Sequence, residues 1–127
     1  MTRPTRCPCG TGLPLAECCG PVLAGEREAA TAEALMRSRF TAFALGDVEH
    51  LLASWHSSTR PRSLELDDAI RWLRLDVLGT TGGGPFDAEG TVAFEAHWVA
   101  DGTRGSMREL SRFRRDRAWQ YLDGTPL

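Results

Sequence analysis

The sequence predicts an α+β fold in which helices come first, an antiparallel sheet follows, and a small cysteine-rich segment precedes both. Four cysteines lie between residues 7 and 19. Apolar residues then recur at helical spacing up to about residue 56, and from residue 73 they alternate with polar ones. At 127 residues and 42% apolar, the chain has room for one sizeable core. We therefore expect a curved sheet of about four strands packed over the N-terminal helices.

Composition excludes several function classes. All 15 basic residues are arginine, so Schiff-base chemistry and a phosphate-binding lysine are excluded. The net charge of −2 gives no global attraction for nucleic acid or for an anionic membrane. The sequence has no apolar run long enough to span a bilayer, and its first ten residues, MTRPTRCPCG, contain no secretory apolar segment. We expect a cytoplasmic protein with no membrane partner.

The cysteines are the most specific feature of the sequence. Thiols stay reduced in the cytosol, so a dense cluster there more often binds metal than forms disulfides. Four thiolates complete a closed tetrahedral zinc site of the structural kind. Two disulfides or four free thiols are the alternatives. The cluster has the spacing C-x-C-x8-C-C and consists of Cys7, Cys9, Cys18 and Cys19.

This spacing resembles the SEC-C motif, a zinc knuckle first recognised in the SecA preprotein translocase motor. The resemblance implies that the four cysteines bind one structural zinc ion. In that motif the segment before the final cysteine pair is usually basic, whereas here Leu13–Glu17 is apolar and acidic. The zinc ligands therefore match the motif, and its basic partner-binding face does not. We expect a zinc knuckle over residues 1–25 and a separate α+β domain over residues 26–127.

Helical spacing and capping residues predict the helices. Apolar positions indicate a helix over residues 29–45, stopped by Gly46. Asp47 is expected to cap a second helix that ends near His56, and a short third helix is expected over residues 67–70.

Strict alternation predicts the strands. In the first strand Leu73, Leu75 and Val77 are expected to share a face, and a glycine-rich turn follows. The pair Asp101-Gly102 is a hairpin signal between the second and third strands. The first predicted strand begins at Leu73 and ends at the glycine-rich turn of residues 82–84. The other three cover residues 91–100, 106–114 and 118–122.

One face of the third strand predicts a polar site inside the sheet. Met107, Glu109, Ser111 and Phe113 share the face expected to point inward. A buried carboxylate needs a partner, because an uncompensated buried charge is costly. The expected partners of Glu109 are Arg37, Arg39, His56 and Tyr121, and these residues and Ser111 are expected to line a cavity. Two interpretations stay open: an arginine–glutamate pair that ties helix to sheet, and a small-molecule pocket with an acid/base pair.

Two further features share the opposite face of the strands. Arg108, Arg112 and Arg114 form a stripe that either contacts phosphates or is a solvated or dimer-forming surface. Glu95 and His97 lie together on the second strand, which fits either surface packing or a small metal or catalytic site.

Taken together, the motifs resemble the YchJ family of SEC-C proteins. The resemblance rests on the knuckle and on four segments spread over nearly the whole chain: LMRSRF (35–40), WH (55–56), ELSRF (109–113) and WQYLDG (119–124). It implies an NTF2-like fold, a cone in which a curved sheet wraps a helix. It implies no activity.

We therefore expect a non-enzymatic zinc-binding protein that binds a protein partner or a small ligand. One alternative is a small-molecule binder or enzyme whose NTF2-like cavity is lined by His56, Glu109 and Tyr121. The other is a nucleic-acid- or ribosome-associated factor that uses the knuckle and the arginine stripe.

Overall fold

The computed structural model describes residues 6–127, so residues 1–5 of the predicted knuckle lie outside the described part of the chain. The first element is a 3-10 helix, Leu15–Glu17. Within residues 6–127 no helix is long and apolar enough to cross a membrane. The remaining elements are α1 (Gly20–Leu23), α2 (Ala32–Leu45), α3 (Val48–Ala53), β1 (Arg71–Gly82), β2 (Glu89–Ala100), β3 (Thr103–Arg115) and β4 (Trp119–Pro126).

The main helix α2 begins at a side-chain cap and ends at a glycine. The Thr31 hydroxyl oxygen accepts a hydrogen bond from the backbone N–H of Ala34 at 3.0 Å, which caps the first turn. Gly46 ends the helix in the left-handed conformation, with φ of 77°. The predicted stop is therefore correct, and the helix begins three residues later than residue 29.

Helix α3 is capped as predicted but is shorter than predicted. The Asp47 carboxylate accepts a hydrogen bond from the backbone N–H of His50 at 3.0 Å. The helix ends at Ala53 because the next residues pair with the last strand: Trp55 and Tyr121 form a parallel bridge. The tertiary pairing of this segment ends the helix before His56.

The four strands form one antiparallel sheet in the order β1-β2-β3-β4. Helix α2 packs on one face of this sheet and buries the main core between them. The predicted α+β order, with helices preceding a four-stranded meander, is confirmed. The core side chains include Leu35, Met36, Phe40, Leu75, Val92, Phe94, Phe113 and Trp119.

Two local predictions fail where tertiary contacts override the sequence pattern. The pairing of β1 with β2 shifts register between Trp72 and Arg74. This shift lets Trp72 pack against the core and leaves Leu73 37% exposed, so Leu73 does not share the inward face with Leu75. Residues 67–70 form a single turn, closed by a bond from the N–H of Ile70 to the carbonyl of Asp67, and not a helix.

The hairpin between β1 and β2 depends on closely packed glycines. Gly83 has a positive φ of 75° and lies directly beside Gly90 at the start of β2. A Cβ added to Gly90 would lie 2.4 Å from the Cα of Gly83. The strand β1 therefore ends at the glycine-rich turn, as predicted, and the glycines there allow the two backbones to approach.

We expect Gly90→Ala to lower the free energy of unfolding by roughly 1–3 kcal/mol, because its Cβ would force the backbone of the hairpin apart. Gly79→Ala is the matched control, since a Cβ at Gly79 meets nothing within 4 Å. Urea unfolding followed by tryptophan fluorescence measures both. Equal stability of the two variants would contradict the close packing of this hairpin.

Candidate functional site

The two halves of the cysteine cluster are brought together by a small hairpin and a helical turn. Arg6 and Pro14 form an antiparallel bridge, and the N–H of Cys7 donates to the carbonyl of Leu13 at 2.8 Å. Gly10 and Gly12 adopt positive φ values of 92° and 86°, which close this loop. The second cysteine pair follows directly after the 3-10 helix, whose last turn is closed by a bond from the N–H of Cys18 to the carbonyl of Leu15.

The four cysteine sulfurs form one compact cluster. All four Sγ atoms lie within 4.8 Å of one another, and those of Cys9 and Cys18 are 3.5 Å apart. None of the four forms a disulfide. Cys7, Cys9 and Cys19 are buried, and Cys18 is half-buried. This arrangement could hold a metal ion.

The thiols of the cluster do not ionise independently. A hydrogen bond from Cys19 lowers the pKa of the Cys9 thiol to about 4, against the opposing effect of burial. The same bond raises the pKa of Cys19, and burial raises the pKa of Cys18. The cluster therefore ionises as a coupled group, in which neighbouring thiols stabilise a thiolate by hydrogen bonding.

The cluster is fastened to α2 by two side chains of that helix. Nη1 of Arg37 donates to the backbone carbonyl of Cys9 at 2.8 Å, while its Nε donates to Glu33 at 3.0 Å. The Thr41 hydroxyl lies 3.5 Å from the sulfur of Cys7 and is fully buried. Arg37 thus contacts the knuckle, and the prediction that it lines the cavity is wrong. Thr41 was not predicted as a site residue, and no motif singles it out.

A cavity of about 220 Å³ lies between α2 and the inner face of the sheet. Arg39, Glu109, Ser111 and Tyr121 line it, as the sequence predicted for these four. Most of the remaining wall is aromatic, and the sequence analysis did not assign these residues to a site. They are Phe40, Phe43, Trp55, Trp72 and Phe94.

Arg39 is a buried cation at one end of this cavity. It is 3% exposed, and its Nη1 donates to the carbonyl of Leu51 at 2.8 Å and to the hydroxyl of Ser54 at 2.7 Å. Its guanidinium carbon lies 4.4 Å from the centre of the Tyr121 ring and 5.1 Å from that of Trp55. Burial lowers the pKa of Arg39 to about 10, so it remains charged at neutral pH.

Glu109 faces the cavity, but its partner is not the one predicted. Its carboxylate accepts a hydrogen bond from the Ser111 hydroxyl at 3.2 Å. Within the described residues no arginine or histidine nitrogen lies within 4.0 Å of it, because Arg39 is engaged at the end of α3. A Cβ on Gly124 would lie 2.5 Å from the carboxylate, so the glycine makes room for it. The predicted direct arginine–glutamate pair is not formed.

His56 lies outside the cavity that it was predicted to line. Its Nε2 is 2.9 Å from the Asp116 carboxylate and its Nδ1 is 2.7 Å from the Ser58 hydroxyl. The backbone N–H of Ser58 also donates to Nδ1, which makes Nδ1 the acceptor and Nε2 the donor to Asp116. Pairing of this segment with β4 directs the imidazole away from the inner face of the sheet.

Each arginine of the predicted stripe lies beside a carboxylate. Arg112 forms a two-pronged pair with Asp123, at 2.7 and 2.6 Å. Arg108 lies 3.6 Å from Glu95, and Arg114 lies 3.8 Å from Asp116. The stripe is therefore part of a mixed-charge surface.

The pair of Glu95 and His97 belongs to the same outer surface. His97 Nε2 lies 2.8 Å from Asp76 of the neighbouring strand, and Arg74 contacts the same carboxylate at 3.2 Å. The Ser106 hydroxyl donates to Glu95 at 2.7 Å. These bonds are cross-strand contacts, and the ligand atoms of Asp76, Glu95 and His97 also lie within 4.8 Å of one another, so both interpretations fit this group.

We expect Arg39→Met to lower the free energy of unfolding by about 2–4 kcal/mol, because it leaves the Leu51 carbonyl and the Ser54 hydroxyl without their charged donor. Arg112→Met is the matched control on the exposed face and should cost less than about 1 kcal/mol. Chemical denaturation compares the two. Equal losses would contradict the structural role of the buried guanidinium.

Known proteins match this chain in both of its parts. The family model described as the SEC-C motif matches residues 3–21, and the one described as "YchJ, middle NTF2-like domain" matches residues 31–124. A UPF0225 protein of Corynebacterium glutamicum is 54% identical over 94% of this chain and 95% of its own length. A UPF0225 protein of Streptomyces coelicolor is 48% identical over 93% of both chains.

Two solved structures share the fold along nearly the whole chain. The solution structure of a SEC-C motif containing protein from Rhodopseudomonas palustris has a TM-score of 0.85 at 35% identity, covering 97% of this chain and 99% of that one. The crystal structure of a SEC-C motif containing protein from Psychrobacter arcticus has a TM-score of 0.77 at 25% identity, covering 95% and 82%. With its cysteine cluster, its helix-on-sheet cone and these matches, the chain belongs to the UPF0225 family, in which a SEC-C motif is joined to a YchJ-type NTF2-like domain.

Proposed function

We propose that this protein is a non-enzymatic binding module in which a structural zinc ion fastens the knuckle to one side of α2 and the cavity on the other side binds a small ligand. One helix supports both sites: Arg37 and Thr41 contact the cysteine cluster, whereas Arg39 and Phe40 line the cavity. This shared helix is the observation on which the proposal rests.

The donor set of the cluster favours zinc. A regular tetrahedron of sulfurs with Zn–S bonds of ~2.3 Å has S–S edges of about 3.8 Å. The four sulfurs here all lie within 4.8 Å of one another, close to that size. Four soft thiolates select zinc over hard cations such as Mg²⁺ and Ca²⁺. Because four protein ligands fill the coordination sphere, the zinc would stabilise the knuckle and would not activate water.

The composition of the cavity favours binding over acid/base catalysis. Its wall is mainly aromatic, with a few polar groups at defined positions, as is typical of small-molecule sites. Among the described residues that line it there is one carboxylate, and no histidine or cysteine. His56, the expected proton-transfer group, lies outside.

We expect protein purified without chelator to contain one equivalent of zinc, and chelation to disorder the knuckle while the cone stays folded. The knuckle is held mainly by its ligands, whereas the cone has its own apolar core. Elemental analysis and amide NMR spectra before and after chelation test this. Zinc well below one equivalent, or a cone that unfolds together with the knuckle, would contradict the proposal.

Arg37→Met should weaken zinc binding roughly tenfold, because it removes the side chain that holds the Cys9 carbonyl and thereby the cysteine loop. Competition with a chromogenic chelator measures the change. Arg74→Met, on the outer face of the sheet, is the matched control and should bind zinc like the unmodified protein. Equal zinc affinity of the two variants would show that α2 does not brace the site.

A further inference from the structure

The cavity contains two opposite charges that do not touch each other. Arg39 lines it as a cation that is 3% exposed, and Glu109 lines it as a carboxylate. Within residues 6–127 their charged atoms do not approach within 4.0 Å. Each charge is held by other groups: Arg39 by Leu51 and Ser54, and Glu109 by Ser111.

Both groups keep hydrogen-bonding capacity that the described part of the chain does not use. Both hydrogen bonds of the Arg39 guanidinium, to Leu51 and to Ser54, are donated by Nη1. The Nε and Nη2 atoms of Arg39 therefore have no hydrogen-bond partner among the described residues. In that same range the indole nitrogen of Trp119 is the one fully enclosed side-chain polar atom without a partner. The unpartnered nitrogens of Arg39 are therefore not fully enclosed, and Arg39 lines the cavity. Oε1 of Glu109 is likewise without a partner in residues 6–127.

The charge balance selects the class of ligand. An anion would be attracted by Arg39 and repelled by Glu109. A cation would be attracted by Glu109 and repelled by Arg39. A zwitterion would lose the hydration of two charges on entry. An uncharged group with a carbonyl beside an N–H satisfies both sides through charge-assisted hydrogen bonds at a lower desolvation cost.

The aromatic walls and the volume of the cavity favour a flat ligand of limited size. Aromatic rings such as Phe40, Trp72 and Tyr121 surround the polar groups, and flat rings stack well on such walls. An apolar cavity of about 150 Å³ holds benzene, so one of about 220 Å³ has room for a fused bicyclic ring.

We propose that this cavity binds an uncharged planar heteroaromatic ring whose edge has a carbonyl beside a ring N–H, with the carbonyl accepting from Arg39 and the N–H donating to Glu109. This inference rests on the proposed ligand-binding function and deepens it by naming the ligand class. Oxopurines and oxopyrimidines are examples of this chemistry.

The test is an amide NMR titration of the full zinc-loaded chain with hypoxanthine and uracil, each beside its counterpart without the carbonyl, purine and pyrimidine. We expect at least one oxo compound to shift the amides around Glu109 and Tyr121 in a saturable way. It should bind roughly ten- to one-hundred-fold more tightly than its counterpart. Glu109→Gln should lose a similar factor, and Glu95→Gln, a matched change on the outer face, should lose none.

The remaining outcomes separate the ligand class from the proposed function. Benzoate, benzylamine and phenylglycine serve as the anionic, cationic and zwitterionic probes. If one of them saturates the cavity and the oxo compounds do not, the cavity is a ligand site and the proposed class is wrong. If no probe shifts the cavity amides, ligand binding itself is overturned, while the zinc content measured on the same sample tests the knuckle separately. Equal binding of hypoxanthine to Glu109→Gln and to the unmodified protein also overturns the inference.

Discussion

The buried guanidinium of Arg39 joins three elements of the cone. It projects from α2, donates to the last-turn carbonyl of Leu51 in α3, and lies over the ring of Tyr121 in β4. A carbonyl in the last turn of a helix lacks a backbone donor within the helix, so the arginine supplies a charged donor at 2.8 Å beside the longer bond from the Ser54 hydroxyl at 3.3 Å. The segment after α3 can then pair with β4, where the N–H of Tyr121 donates to the carbonyl of Ser54. The contact between α2, the end of α3 and β4 depends on this interaction.

The same interaction explains why the cavity keeps two charged side chains that do not pair with each other. An arginine engaged with a helix end and two aromatic rings does not reach Glu109, so both charges stay in the cavity without neutralising each other. Gly124 of β4 has no side chain and so leaves room for the Glu109 carboxylate of β3, which keeps Glu109 at the inner face of the sheet. A site that holds separated charges against aromatic walls is suited to recognising a neutral polar ring.

Helix α2 connects this cavity to the cysteine cluster. Arg37 and Arg39 are two residues apart, so they point to opposite sides of a helix with 3.6 residues per turn. Arg37, with Thr41 one turn later, holds the cysteine loop, while Arg39 lies at the cavity. A rigid helix buried on both sides places the two sites at a set separation, although their chemistry is independent.

Local sequence determined the features that depend only on neighbouring residues. The cap at Asp47, the stop at Gly46 and the inward face of β3 follow from backbone conformation and from the alternation of side chains, and the structure shows them. The cysteine spacing likewise placed four thiols in one short loop, where a hairpin gathers them.

Tertiary structure decided which groups meet. The register shift beside Trp72 directs that ring toward the core. The pairing of residues 54–56 with β4 places His56 outside the cavity. Arg39 donates to the end of α3 and does not pair with Glu109. Helical and strand periodicity define the face on which a side chain lies, but the partner on that face comes from a distant segment. The physical reason is that hydrogen bonds and ion pairs are satisfied by whichever group packing brings within reach, and this is decided only when the helices settle on the sheet.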